Sequence, residues 1–125
     1  MKWSFSNELP IYAQLIEQIK VGIATGEFPP GGRLPSVRDL AMEAGVNPNT
    51  MQRALAQLEA EALVYSQRTA GRFVTEDDAR IADMKRELAL AHLRAFIESM
   101  SSLAITKEEA LAMLETEYGK ETKTQ

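Results

Sequence analysis

The sequence predicts a mainly α-helical protein with one small β-hairpin: a winged helix-turn-helix followed by two further helices. First, apolar residues recur at intervals of three and four in five successive segments. Second, two of these segments are separated by only a few residues around Gly45, which is the spacing of a helix-turn-helix. Third, two short runs rich in β-branched and aromatic residues, 63–67 and 72–75, flank a group of turn residues.

Composition limits the classes of protein that this chain can represent. It has 125 residues and no cysteine, which excludes disulfide bonds and thiolate metal sites. No apolar run is long enough to span a membrane, and the first residues lack the apolar stretch of a signal peptide. We therefore expect a cytoplasmic protein that makes no membrane contact.

The first helix is predicted to begin at Pro10 and to end near Thr25, just before a glycine that favours helix termination. Residues 1–9 precede it as an irregular arm. Trp3 and Phe5 in this arm are expected to pack on the domain or on a partner subunit. The apolar face of the helix comprises Tyr12, Leu15, Ile16, Ile19 and Ile23.

Segment 27–35 contains three prolines and two glycines, which forbid a helix and predict a turn. A short strand at Arg33 and Leu34 remains an open alternative. The segment is expected to lead directly into the next helix.

The helix-turn-helix is predicted from its caps. Ser36 suits the N-cap of the first helix, and Asp39 three residues later completes a capping box. Gly45 provides the turn, Asn47 suits the N-cap of the second helix, and Pro48 suits its first position. The inward side of the first helix has Val37, Leu40 and Ala41, and that of the second has Met51, Leu55 and Leu58.

The wing and the C-terminal region follow. The second helix of the pair should end near Ala62, and the hairpin should carry a basic tip at 68–71. A long helix is predicted over 78–100, and a capping box at 106–109 begins a last helix that ends near Tyr118. Residues 119–125 are expected to form a polar, frayed tail.

The long helix carries two apolar stripes, so it must be covered on more than one side. Because the last helix alone cannot cover both, we expect the same helices of a second subunit to complete a two-fold dimer. The division into domains is therefore predicted as 1–75 and 76–125, the second part being the dimerisation region. The stripes comprise Ile81, Met84, Leu88, Ala91 and Ala95, and Leu90, Leu93, Ile97 and Met100, with Phe96 between them.

Charge is distributed unevenly along the chain. The net charge is −4, but residues 1–75 carry seven basic and seven acidic side chains, so residues 76–125 account for the whole excess. Five arginines between positions 33 and 72 are the candidate electrostatic footprint for nucleic acid. They matter only if the fold gathers them on one face.

An ordered series of short segments runs through residues 10–75: Pro10-Ile11-Tyr12, Gln14-Leu15, Gln18-Ile19-Lys20, Gly26, Pro30-Gly31, Leu34-Pro35-Ser36-Val37-Arg38, Leu40-Ala41, Val46-Asn47-Pro48-Asn49-Thr50, Arg53-Ala54, Leu58-Glu59, Leu63-Val64, Gly71 and Phe73-Val74. In these segments the chain closely resembles the DNA-binding domain of the GntR family of bacterial transcription regulators. The short C-terminal part looks like the YtrA-type subfamily, in which two helices serve for dimerisation and whose members often regulate transporter operons.

The resemblance implies double-stranded DNA as the partner and three groups of contacts: the arginine of the Leu-Pro-Ser-Val-Arg segment, the start of the second helix of the pair, and the wing tip. Asn49 and Gln52 suit bidentate pairing with adenine, and Arg53 suits guanine or a phosphate. Two alternatives stay open, since Asn47 either caps or contacts DNA and Gln52 either contacts DNA or faces solvent. The candidate residues are Ser36, Arg38, Asn47, Asn49, Thr50, Gln52, Arg53, Arg68, Gly71 and Arg72.

The wing departs from the family pattern. A Gly-x-Gly tip is usual, whereas Thr69, Ala70 and Gly71 occur here, and Thr69 tolerates a positive φ poorly. Arg72 also replaces a small hydroxyl residue, and we expect Arg68 and Arg72 to strengthen wing contacts with phosphates or the minor groove. Tyr12 is expected to pack rather than to contact a ligand.

The expected function is a homodimeric transcription repressor that binds an inverted-repeat operator. The alternative is a winged-helix protein-interaction module without DNA binding, which the acidic net charge and altered wing favour. The sequence has no nucleophile and base set, phosphate loop or metal cluster, so no enzyme activity, cofactor or metal is expected. The single histidine, His92, is interpreted as a surface or packing residue, and the effector is unknown.

Overall fold

The computed structural model describes residues 1–123, and within them it contains five helices and one two-stranded antiparallel hairpin. The predicted fold class is confirmed. The chain divides into two compact units, the first spanning Met1–Arg86 and the second beginning at Glu87. The elements are α1 (Ile11–Ala24), α2 (Val37–Ala44), α3 (Pro48–Ala60), β1 (Val64–Gln67), β2 (Gly71–Val74), α4 (Asp78–Ser102) and α5 (Lys107–Lys123).

The core of the first unit forms where α1 and α2 pack against α3 and the hairpin covers one end of α3. The buried side chains of α1, α2 and α3 lie on the apolar stripes that the sequence predicts, because removing such side chains from water drives the packing. The start of α4 belongs to the same unit and buries Met84. The buried apolar side chains are Leu15, Ile19, Ile23, Leu34, Leu40, Ala41, Met51, Ala54, Leu55, Leu58, Leu63, Val64, Val74 and Met84.

The N-terminal arm is irregular, as predicted, and two glutamines of α1 hold its main chain. Gln18 accepts the Ser4 N–H at 3.0 Å and donates to the Ser4 carbonyl at 2.6 Å. Gln14 makes the equivalent pair with Ser6 at 2.8 and 2.9 Å. Trp3 packs half-buried, and its indole N–H donates to Glu43 at 3.3 Å. These side-chain hydrogen bonds satisfy the main-chain groups of Ser4 and Ser6 as a partner strand would.

The helices α1 and α2 end at glycines, as predicted, and α3 ends in a different way. Gly26 and Gly45 follow α1 and α2 with φ of 83° and 72°, a left-handed conformation that favours glycine. The α3 helix ends at Ala60, slightly before the predicted end near Ala62. Ala62 itself takes φ 62°, and the Leu63 N–H then donates to the Leu58 carbonyl at 3.0 Å, which closes the helix.

The hairpin pairs Val64 with Val74 and Gln67 with Gly71, leaving a loop at 68–70. The segment before α2 lies along β2, since the Leu34 N–H donates to the Arg72 carbonyl at 2.9 Å. The short strand considered at 33–34 reduces to a single bridge residue there. Pro35 follows directly and has no N–H, so the pairing stops.

The α4 helix begins as predicted and ends at Ser102, slightly beyond the expected end at 100. Thr106 and Glu109 form the predicted capping box, with two reciprocal hydrogen bonds of 3.1 Å each. The expected end of the last helix near Tyr118 was wrong, because α5 continues through Gly119 to Lys123. Glycine costs a helix only about 1 kcal/mol relative to alanine, so it does not stop an exposed helix by itself. The part of the predicted tail at 124–125 lies outside the described residues.

The second unit leaves several apolar side chains exposed in the single chain. Ile97 is 52% exposed and Leu93 46%, which means that the stripe they share on α4 is only partly covered. Between α4 and α5 lies an apolar groove of about 410 Å³, whose lining includes Leu93, Phe96, Ile97, Met100, Leu111 and Leu114. No helix among residues 1–123 has both the length and the apolar character required to cross a membrane.

Candidate nucleic-acid interface

The helix-turn-helix has a tight, well-capped turn. Gly45 takes the left-handed conformation, and the Val46 N–H donates to the Ala41 carbonyl at 3.0 Å. Asn47 caps α3, because its Oδ1 accepts the Asn49 N–H at 2.7 Å. The capping alternative for Asn47 is therefore confirmed in the unbound chain. Its side chain also remains exposed, which leaves the amide nitrogen available to donate.

The start of α3 separates a polar face from an apolar one. Asn49, Gln52 and Arg53 are exposed and Thr50 is half-buried, while Met51 is fully buried. The polar face carries side-chain donors and acceptors of the kinds that pair with base edges. Gln52 faces solvent in this structure, and its role toward DNA stays a prediction.

Arg53 is stacked on an aromatic ring from another helix. Its guanidinium carbon lies 4.7 Å from the centroid of the Tyr12 ring, which is a cation–π contact. Tyr12 is half-buried near the start of α1. The contact confirms that Tyr12 packs, and it also limits where the Arg53 charge can lie.

The start of α2 lies next to the wing. Ser36 caps the helix, since its Oγ accepts the Asp39 N–H at 3.1 Å, and Arg38 is exposed in the first turn. A cleft of about 230 Å³ separates this helix start from the wing. Its lining consists of Arg33, Leu34, Pro35, Ser36, Val37, Gly71 and Arg72.

The wing tip forms its turn without a positive φ at Thr69. The Ala70 N–H donates to the Gln67 carbonyl at 3.1 Å, and Gly71 takes φ 106°. One glycine at the end of the loop therefore replaces the usual pair, because the left-handed residue falls where no Cβ is present. Arg68 is exposed in this loop.

Comparison with known proteins identifies this arrangement. Residues 11–74 match the family model described as bacterial regulatory proteins, gntR family. The chain belongs to this family. The match spans α1 to β2, so the GntR family model covers the helix-turn-helix and the wing together.

Two relatives from Bacillus subtilis support the assignment. The uncharacterised HTH-type transcriptional regulator YhcF is 37% identical over 112 residues, covering 90% of this chain and 93% of YhcF. The HTH-type transcriptional repressor YtrA is 41% identical over 68 residues, covering 54% of this chain and 52% of YtrA. The resemblance to YtrA-type regulators of the GntR family is confirmed.

Solved structures agree with the fold. A GntR family transcriptional regulator from Listeria monocytogenes has a TM-score of 0.84 and 39% identity, covering 90% of this chain and 98% of that chain. The AraR DNA-binding domain, solved in complex with an operator, has a TM-score of 0.55 and 30% identity over 60% of this chain and 96% of its own. The chain is thus similar to a GntR regulator over 90% of its length and to an operator-bound domain over 60% of it.

The structure brings eight of the ten predicted site residues into two groups and leaves Arg38 and Arg68 outside both. Ser36, Gly71 and Arg72 share the cleft between α2 and the wing. Arg38 lies in the first turn of α2, and Arg68 lies at the wing tip. The remaining predicted residues, Asn47, Asn49, Thr50, Gln52 and Arg53, lie on the first two turns of α3.

Two residues close to the predicted site residues were given no role at the site from the sequence. Arg33 was counted among the five arginines but given no role, and it lines the cleft with Arg72. Tyr12 was assigned to packing alone, and it lies under Arg53. Arg33 follows a glycine turn and precedes Leu34-Pro35, so an extended segment paired with the wing was the available signal.

Proposed function

We propose that this chain is a homodimeric transcription repressor that binds an inverted-repeat operator in double-stranded DNA. Residues 1–75 form the DNA-binding domain in this proposal, and residues 76–125 form the dimerisation region. The observation that carries it is the exposed polar first turn of α3, capped by Asn47 and backed by a buried apolar face, in a chain of the GntR family. The proposal assigns no enzymatic reaction and no cofactor.

The second helix of the pair, α3, is the element proposed to enter the major groove. Asn49 and Gln52 would bond adenine bidentately, and Arg53 would bond guanine O6 and N7 or a phosphate. Asn47 has its Oδ1 engaged in the cap, so it would contact DNA through its amide nitrogen. The Thr50 hydroxyl and the free N–H groups of the first turn suit phosphate oxygens.

Phosphate contacts are proposed on both sides of α3. Arg38 and the Ser36 hydroxyl lie at the start of α2, and Arg68, Gly71 and Arg72 lie in the wing. Contacts of this kind fix the position of the protein on DNA without reading its sequence. The exposed arginines make binding depend steeply on salt, because each neutralised phosphate releases counterions.

The dimer is proposed to form through α4 and α5 of two copies. The support is the apolar surface that a single chain leaves exposed around Leu93 and Ile97, together with the groove between the two helices. A two-fold axis would present two copies of α3 to half-sites roughly 34–36 Å apart. Since DNA is its proposed partner, the protein would act in the bacterial cytoplasm.

The test begins with the selection of bound sequences from a random DNA pool by the full chain. We expect an inverted repeat, a footprint over both halves, and a complex whose mass corresponds to two chains per duplex. DNA upstream of its own gene and of neighbouring transporter genes are the first natural fragments to test, because YtrA-type regulators often control transporter operons. Failure to select any sequence at moderate salt would contradict the proposal and favour the protein-interaction alternative.

A further inference from the structure

We propose that Arg33 and Arg72 form one phosphate-binding cleft between the wing and the start of α2. This inference rests on the proposed function for the source of the phosphate, and it adds Arg33 and a shared ligand to the contacts suggested above. The site takes a single tetrahedral phosphate group, whether a diester of the DNA backbone or a free phosphate.

The two arginines reach the cleft from separate segments that the backbone holds together. Arg33 forms a bridge with Phe73, and the neighbouring Leu34 N–H donates to the Arg72 carbonyl at 2.9 Å. Arg72 itself lies on β2. Main-chain pairing therefore fixes the positions from which the two side chains extend.

Gly71 makes room for Arg33 over the wing. The Arg33 Nε lies 3.1 Å from the position that a Cβ on Gly71 would occupy. A side chain at this position would crowd the guanidinium, and its φ of 106° already disfavours other residues. The glycine thus serves both the turn and the placement of the Arg33 charge.

The charges in the cleft lack a protein counterion. The lining contains two arginines, one serine and no acidic residue. Among residues 1–123, neither arginine forms an ion pair, and Arg72 Nε is the one buried side-chain nitrogen or oxygen without a hydrogen-bond partner. Leaving a donor of a partly buried guanidinium unpaired is unfavourable. An anion in the cleft would accept a hydrogen bond from this donor and would be attracted by the charges of both arginines.

The size and the remaining polar group of the cleft suit phosphate. A water molecule occupies about 30 Å³ in the liquid, so a volume of about 230 Å³ holds several waters or one phosphate group. The Ser36 Oγ accepts the Asp39 N–H, which leaves its own hydroxyl proton free to donate into the cleft. Two guanidinium groups and a hydroxyl are the donors that phosphate sites commonly use.

The first experiment places neutral methylphosphonate linkages one at a time through a duplex that the wild-type protein binds. One position in each half-site should weaken wild-type binding by about tenfold, the effect of losing a charge-assisted hydrogen bond. The same position should have a smaller effect in Arg33→Gln and in Arg72→Gln, and no effect in the variant that carries both changes. Each variant should also lower the slope of log K against log salt, by at most about 0.9 for the one phosphate that both arginines hold.

The controls separate charge from folding. Arg86→Gln removes an exposed arginine of α4 and should bind like wild type with unchanged methylphosphonate sensitivity. Arg33→Lys keeps the charge and should retain part of the affinity. The inference is overturned if Arg33→Gln keeps wild-type affinity and sensitivity, or if the two glutamine variants lose sensitivity at different phosphates.

A second arm distinguishes the sources of the phosphate. Arginine Nε–H resonances are followed by NMR while inorganic phosphate replaces chloride at constant ionic strength. Saturable shifts of the Arg33 and Arg72 resonances below millimolar phosphate, lost in the glutamine variants, would assign the cleft to free phosphate. Weak shifts, together with the expected effect of methylphosphonate on DNA binding, would assign the cleft to a phosphate of the DNA backbone. Phosphate binding in a chain that binds no DNA would contradict the proposed function and support the phosphate site. The absence of an effect in both experiments would contradict the phosphate site.

Discussion

The guanidinium group of Arg53 on α3 lies over the ring of Tyr12 on α1, with 4.7 Å between the guanidinium carbon and the ring centroid. The ring therefore holds a charge that belongs to the proposed recognition helix. A contact of this kind stabilises the stacked position by about 0.5–1 kcal/mol at exposed sites. Positioning of Arg53 before binding would reduce the entropy lost when it meets DNA.

Replacing Tyr12 tests this positioning. Tyr12→Leu should weaken binding to the selected operator by roughly two- to fivefold, the equivalent of the cation–π energy, whereas Tyr12→Phe should bind like wild type because the ring face remains. Fluorescence anisotropy with a labelled duplex measures both. In an Arg53→Gln background the Tyr12→Leu change should have no further effect, and an undiminished effect there would show that Tyr12 acts by another route.

Base recognition by α3 predicts a change in sequence preference. Asn49→Ala should cost about 1–3 kcal/mol on the best operator and relax the preference at one base pair in each half-site. Repeating the DNA selection with the variant identifies that position. Arg68→Gln is the contrasting variant, since a phosphate contact should lower affinity alike for every sequence. An unchanged preference in Asn49→Ala would assign base recognition to other residues.

A half-buried ion cluster predicts the pH dependence of stability. Glu61 lies 2.8 Å from Lys20 Nζ and 3.9 Å from Arg80 Nη2. Burial alone would raise the pKa of Glu61, but hydrogen bonds from Lys20 and Gln57 and the charges of Lys20 and Arg80 outweigh it and lower the pKa. A lowered pKa means that this stabilisation is present above the unfolded value of 4.5 and is lost as the pH falls through the folded value.

Glu61→Gln should therefore destabilise the protein by up to about 1 kcal/mol at pH 7. The difference from wild type should shrink as the pH falls below about 4.5, and urea unfolding at several pH values measures it. Glu117→Gln is the matched control, because its pair with Lys120 is 68% exposed on both sides and should contribute little. A difference that stays constant down to pH 3 would exclude the ionic explanation.

Dimerisation can be tested at Ile97. Ile97→Glu places a charge on the exposed apolar stripe of α4 and should convert the dimer into a monomer with unchanged helix content, as measured by light scattering and circular dichroism. The monomer should bind a single half-site and lose the affinity gained from the second one. Glu98→Gln on the neighbouring exposed position should leave the dimer intact. A stable dimer of Ile97→Glu would place the interface elsewhere.

Local signals made most of the fold predictable from sequence. Ser36, Asn47 and Thr106 form the caps expected of them, because a cap depends on residues only two or three positions away. The ends of α3 and α5 were less predictable. The left-handed Ala62 depends on how the next residues pack, and Gly119 carries too small a penalty to end a helix.

The site was predictable only in part, because some of its contacts join residues that lie far apart in the sequence. The polar face of α3 follows from helical periodicity, so Asn49 and Arg53 were found. Arg33 and Arg72 lie 39 positions apart and meet through backbone pairing of the wing, and Tyr12 reaches Arg53 through packing of α1 on α3. Such contacts depend on tertiary structure, which single-segment patterns do not specify.

The hydrogen bonds from Gln14 and Gln18 to the N-terminal arm have a consequence for sequence variation. The Gln18 side chain bonds main-chain atoms of Ser4, and the Gln14 side chain bonds those of Ser6. These hydrogen bonds therefore do not depend on which side chains the arm carries at positions 4 and 6. The arm is therefore free to diversify its exposed surface while its path over α1 stays the same. Replacing either glutamine on α1, in contrast, would remove at least two hydrogen bonds to the main chain of the arm.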